Sequence, residues 1–98
     1  MEKLYQFFAG YFHEDWTVDS ENPDEVLNEL VAEGRTRSEL EELAGLIDDY
    51  LDTRSDVSLE HALFTELGCY YTPSADGLSA RAWLKHVSGQ LRAKAREQ

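Results

Sequence analysis

The side chains best equipped for chemistry are His13, Glu14 and Asp15, which stand in the run GYFHEDW (Gly10–Trp16), together with His61, Cys69, His86 and a large stock of carboxylates. Zinc would draw on His13, His61, Cys69 and His86, yet none of these stands in a C-x-x-C, H-x-x-x-H or H-E-x-x-H arrangement, and each lies in a different segment. Calcium would draw on Asp49 and Glu60, which sit at the first and twelfth positions of an EF-hand register. That register puts Leu51 at position three and Arg54 at position six, where the loop needs an oxygen donor and a glycine, so it fails at its most restrictive points. His13 with Asp15 has the elements of an acid–base pair, but no nucleophile elbow or phosphate loop accompanies it. Cys69 follows a glycine without a local signature of catalytic cysteines and reads as a buried small side chain. Glycoside hydrolysis needs a cleft that a chain of 98 residues seldom offers. The residues therefore predict no catalytic site, no metal site and no cofactor. The alternative is a small acidic metal- or ligand-binding helical protein built around His13, Asp15 and the carboxylates of the central helices.

The elements that must position these groups read as about five helices and no strand, an all-α bundle forming a single domain over residues 1–98. Leu4, Phe7, Phe8 and Tyr11 fall on one helical face, which Gly10 weakens or ends. Asn22 caps a second helix with Pro23 in its first turn, Val26, Leu27, Leu30 and Val31 as its buried stripe, and Gly34 as its stop. Thr36 and Glu39 are spaced as a capping box for a third helix, which carries Leu40, Leu43, Ile47, Tyr50 and Leu51 to about Thr53. Ser58 is the expected cap of a short fourth helix with Leu59, Ala62, Leu63 and Leu67 inward and Gly68 at its end. After the loop CYYTPSADG, Ser79 caps a last helix whose Trp83, Val87 and Leu91 share a face. Phe7, Phe8, Tyr11 and Trp83 are expected in the core. Phe12 and Trp16 are expected to pin the first loop, and His61 and His86 read as ordinary polar positions. Tyr70 and Tyr71, adjacent in a loop, cannot easily both bury, so at least one ring should reach the surface.

Charge restricts the partners. Twenty acids against nine bases give −11, and the excess is polarised: residues 1–60 carry −13, residues 61–98 carry +2. Between Glu14 and Glu33 stand eight acids and no base. Such a field repels phosphate backbones, which argues against direct nucleic-acid binding, and it accelerates encounter with a basic partner. No apolar stretch approaches the roughly 20 residues that cross a bilayer, the N-terminus lacks the basic start of a secretory signal, and the single cysteine fits a reducing compartment. The expected location is cytoplasmic.

Two segments carry a family resemblance: FFAGYFHEDW at Phe7–Trp16 and ELGCYYTPSADGLSARAWL at Glu66–Leu84. They resemble the small α-helical CdiI-type immunity proteins of bacterial contact-dependent growth inhibition systems. That family opens on an aromatic–Gly–Tyr–Phe–His–x–Asp–Trp run and closes on Leu-Gly-Cys-Tyr-Tyr, a Pro-x-x-Asp-Gly turn and a helix carrying Trp-Leu. The resemblance implies a cytoplasmic antitoxin that binds its cognate toxin domain, and the reading taken is a non-enzymatic inhibitor that binds one to one, with a monomer favoured when free and a homo-oligomeric structural module as a third reading. The partner would be basic and in many cases a nuclease, met by an acidic, phosphate-mimicking face. Colicin nuclease immunity proteins are similar in strategy, although their N-terminal motif differs. On this reading His13, Asp15 and Trp16 build a structural corner. The partner-binding residues are expected in the charged stretch Asp15, Asp19, Glu21, Asp24 and Glu25, joined by Tyr70, Tyr71 and Asp76 if the two loops lie together. Charge reversal at Asp19, Glu21 and Asp24 should then slow association and leave helicity intact, and association that is insensitive to salt would count against it.

Overall fold

The computed structural model describes residues 2–98, apart from the side chain of Asp19. It is all-α: α1 (Glu2–Tyr11), α2 (Trp16–Asp19), α3 (Pro23–Ala32), α4 (Arg37–Asp52), α5 (Asp56–Thr65) and α6 (Ala80–Arg96), with a 3-10 turn at Pro73–Asp76 before the last. Polar side chains fix the helix starts. Asn22 Oδ1 accepts the Glu25 N–H at 3.0 Å, Thr36 Oγ1 that of Glu39 at 3.2 Å, and Ser79 Oγ that of Ala82 at 3.1 Å.

Four expectations need correcting. The helix count rises to six because Trp16–Asp19 closes a single α-turn, too short to show a hydrophobic period. The cap of α5 is Ser55, whose Oγ accepts the Ser58 N–H at 3.2 Å, so the helix begins three residues early. Val31 is 37% exposed and lies outside the buried stripe of α3. Tyr11 is half-buried, its phenol drawn outward to Glu33 and, at 3.1 Å, to the Arg35 guanidinium. The EF-hand register also has no loop to occupy, since Asp49 lies inside α4 and a Glu60 carboxylate oxygen accepts the Ala80 N–H at 2.6 Å.

α6 is the axis of the core. It packs chiefly along α4, with α5 and α3 also against it, while α1 lies on α4. Trp83, Leu84, Val87 and Leu91 of α6 are buried with Phe8, Phe12, Leu30, Leu40, Ile47 and Leu59. Burial of each such side chain contributes about 1.5–3 kcal/mol, which is what holds six short elements together. One polar seam crosses the α4–α6 contact: the buried Ser88 hydroxyl donates to Asp48 at 2.8 Å and accepts from Arg92 at 2.6 Å.

The two aromatic loops meet at one end of this core. Phe12, fully buried, packs edge-to-face on Trp83 at 5.2 Å. Tyr71 sits 4.8 Å from Trp83 and 5.7 Å from Trp16. The backbone N–H of Tyr70 donates to the Phe12 carbonyl at 2.8 Å, joining residues 58 positions apart.

Candidate functional site

The corner after α1 is built from its own backbone. His13 Nδ1 accepts the Asp15 N–H at 3.1 Å, and the His13 carbonyl accepts the Trp16 N–H at 3.0 Å. The His13 imidazole is thus a turn acceptor, and its carboxylate neighbours Glu14 and Asp15 are exposed. Trp16 folds back between Phe12 and Tyr71 and remains half-exposed. Tyr71 is turned in and only 7% exposed, and its hydroxyl donates to Asp76 Oδ2 at 2.6 Å. Burial, and then the Asp76 hydrogen bond and charge, push its phenol well above the usual range, with Asp24 adding to the effect. Tyr70 points the other way and is 48% exposed. Cys69 is buried between them and the core, where burial pushes its thiol up to about 12, so it stays an unreactive thiol at neutral pH.

Between the loops runs an open groove of about 460 Å³, lined by Trp16, Glu21, Asn22, Tyr70, Tyr71 and Asp76 among others. A neighbouring hollow of about 310 Å³ shares Asn22, Tyr71 and Asp76 with it and adds Asp24 and His86. Of the residues expected at a partner surface, the fold therefore gathers Glu21, Asp24, Tyr70, Tyr71 and Asp76 around one depression. Asp24 faces His86 Nε2 at 2.9 Å. Asp15 stands apart at the N-cap of α2 with its carboxylate uncapped and exposed. Glu25 turns back to accept the Glu21 N–H at 2.9 Å and serves its own loop. The Asp19 side chain lies outside the described residues. Among the described residues, no three His, Cys, Asp or Glu side chains gather as a metal site would require.

A family model decides what kind of molecule carries this surface. The model for CdiI immunity proteins matches residues 1–91, which include both aromatic loops, the groove and all but the end of α6. The chain belongs to the CdiI immunity protein family. It is an immunity protein against a toxin of a contact-dependent growth inhibition system. No curated protein and no solved structure matches the chain significantly.

The charges of the immunity protein fall into two populations. Lys3 pairs with Glu42, Arg35 with Glu39, Arg37 with Glu41 and Arg92 with Asp48, so four acids of α4 are answered by a cation. Arg54 and Arg81 answer Glu66 and Asp56. Among the described residues, no lysine or arginine forms an ion pair with an acid between Glu14 and Glu33. Glu29 takes the Ser20 hydroxyl and Glu33 the Tyr11 phenol. The rim of the groove thus keeps its negative charge facing solvent.

Sequence reasoning missed the contribution of Trp16, Thr17 and Asn22 to the groove wall. It also missed that Phe64 is 54% exposed and packs edge-to-face on Tyr70 at 5.1 Å. Phe64 stood within reach of a careful reading: it lies off the Leu59–Ala62–Leu63 stripe and seven residues from Val57, which is 83% exposed.

Proposed function

We propose that this immunity protein neutralises its toxin as a non-catalytic, cofactor-free inhibitor, binding one toxin domain to one chain through the groove between the two aromatic loops. The toxin domain presents a basic surface, as a nuclease does toward its phosphate substrate. Glu21, Asp24 and Asp76 stand in for phosphate around Tyr70, and Asp15 and Asp19 extend the field that guides the encounter. Glu25 acts indirectly by holding the Glu21 backbone, and Tyr71 by holding Asp76. Complex formation takes place in the cytoplasm. The free protein is a monomer, since a charge of −11 opposes self-association.

The observation that carries this reading is that no described acid of the rim pairs with a lysine or arginine, whereas four of the six acids of α4 do. The test is co-expression with the toxin domain encoded immediately upstream, followed by affinity capture at moderate salt and a growth assay. A stoichiometric complex together with rescue of growth is the expected result. Two folded proteins that neither associate nor restore growth would overturn the proposal.

A further inference from the structure

The rim is acidic, but the surface next to it is not. Tyr5 of α1, Phe64 of α5 and Tyr70 of the second loop are 52%, 54% and 48% exposed, and the fold brings them together. Phe64 and Tyr70 are edge-to-face at 5.1 Å. The Gly68 N–H donates to the Phe64 carbonyl at 3.1 Å, and Gly68 itself, at φ 65°, abuts α1. A Cβ there would stand 3.1 Å from Ala9 Cβ and 3.2 Å from Tyr5 Cε2, so glycine at this positive φ lets the segment after α5 lie close against Tyr5. Phe64 and Tyr70 are held against one another before any partner arrives, and Tyr5 lies against Gly68 beside them.

The fold has little use for this exposure. Phenylalanine is a poorer helix former than alanine, and the outward face of α5 buries nothing of its own. Single exposed apolar residues need no explanation, but rings held together on a surface mark a place where a partner docks. Rigid aromatic side chains lose little conformational freedom on binding and dominate interface energetics. Two observations choose the occupant. Tyr70 belongs to both the aromatic patch and the acidic groove, so the two surfaces are continuous. A second copy would bring another −11 against the first, whereas a basic partner is attracted.

We infer that Tyr5, Phe64 and Tyr70 form an apolar anchor for the same toxin domain, fitting a recess of that basic partner beside its cationic surface. This inference rests on the toxin-binding function proposed above and adds a division of labour to it. The acidic rim sets how fast the complex forms, and the aromatic patch sets how slowly it comes apart.

The test measures binding kinetics of the upstream toxin domain with the full-length immunity protein, with Phe64→Ala and with Tyr5→Ala/Phe64→Ala. Circular dichroism checks each fold. The double variant should dissociate about 30-fold faster or more, the scale of an interface hot spot, with an unchanged association rate and salt dependence. Tight binding by the wild type with dissociation of the double variant within about twofold of it would overturn the anchor and leave the proposed function standing. A wild type that does not bind the toxin would overturn both. A wild-type mass that rises with concentration in sedimentation, and is made monomeric by the double variant, would assign the patch to a second copy and overturn the inference.

Discussion

In α4, Glu39, Glu41, Glu42 and Asp48 each face an arginine or lysine within 3.2 Å. In the segment from Glu14 to Glu25, no described acid does, and the partners on offer are His86 and backbone N–H groups. Both regions hold six acids, so a count of carboxylates does not separate them. They differ in where the bases stand: Lys3 in α1, Arg35 just before α4, Arg37 at the start of α4 itself and Arg92 in α6. Glu42 and Asp48 tie α4 to α1 and α6, Glu39 and Glu41 take arginines four residues before them, and the rim acids keep their charge toward solvent. Acidic composition alone therefore does not separate the two regions; the placement of the bases does.

The comparison breaks most severely at the rings. Among the described residues the rim has no lysine or arginine tether, so its position depends on Tyr71 packed among Phe12, Trp16 and Trp83. Tyr71→Ala should cost about 3–5 kcal/mol in denaturant unfolding, as large buried aromatics do. A loss below about 1 kcal/mol would mean that the loop is held by something other than the stack. Next in size is the field. The triple variant Asp15→Lys/Glu21→Lys/Asp24→Asn should associate with toxin about 10- to 100-fold more slowly at low salt, converging on the wild type as salt rises. Glu41→Gln/Glu42→Gln, which alters α4 instead, should stay within about twofold. Equal slowing by both variants would remove the distinction between the two regions.

The smallest effect is on acid stability, and it belongs to α4. Burial pushes the Asp48 carboxyl upward, but hydrogen bonds from Arg92 and Ser88 outweigh it and leave the pKa below the usual range. Hydrogen bonds from Thr36 and Arg35 hold Glu39 low, and those from Arg54 and Tyr50 do the same for Glu66 at the end of α5. A carboxylate depressed in the folded state stabilises the fold above its unfolded pKa, and that contribution is lost as pH falls through the folded value. Stability should therefore decline on acidification below the ordinary carboxylate range. Asp48→Asn should flatten that limb and, because solvent screens the half-exposed pair, cost only about 0.5 kcal/mol at pH 7. A limb as steep as that of the wild type would show that Asp48 takes no part.

Much of this was legible from sequence because it is local. The caps at Asn22, Thr36 and Ser79 are read from residue types three apart, and the buried stripes from a 3.6-residue period. Ser55 was missed because two serines three apart both precede Leu59, and Val57 between them points outward, so the stripe does not say which one starts the helix. The turn at Trp16–Asp19 is too short to have a period at all. The groove was only half legible. An acidic stretch and a tyrosine pair can be seen in the chain, but Lys3–Glu42 and Arg92–Asp48 pair across 39 and 44 positions, and no window along the sequence reveals which acids they leave unanswered. Phe64 lies off the buried stripe of α5, and helical period marks only the apolar residues that face inward.

The bond between the two loops is made by main chain on both sides, Tyr70 N–H to Phe12 C=O. It is indifferent to what side chain residue 70 carries. Any L-residue other than proline can make that bond, so exchanging the Tyr70 ring leaves this link between the loops in place. A lineage pressed by a changing adversary can therefore revise its recognition one substitution at a time and remain folded at every step.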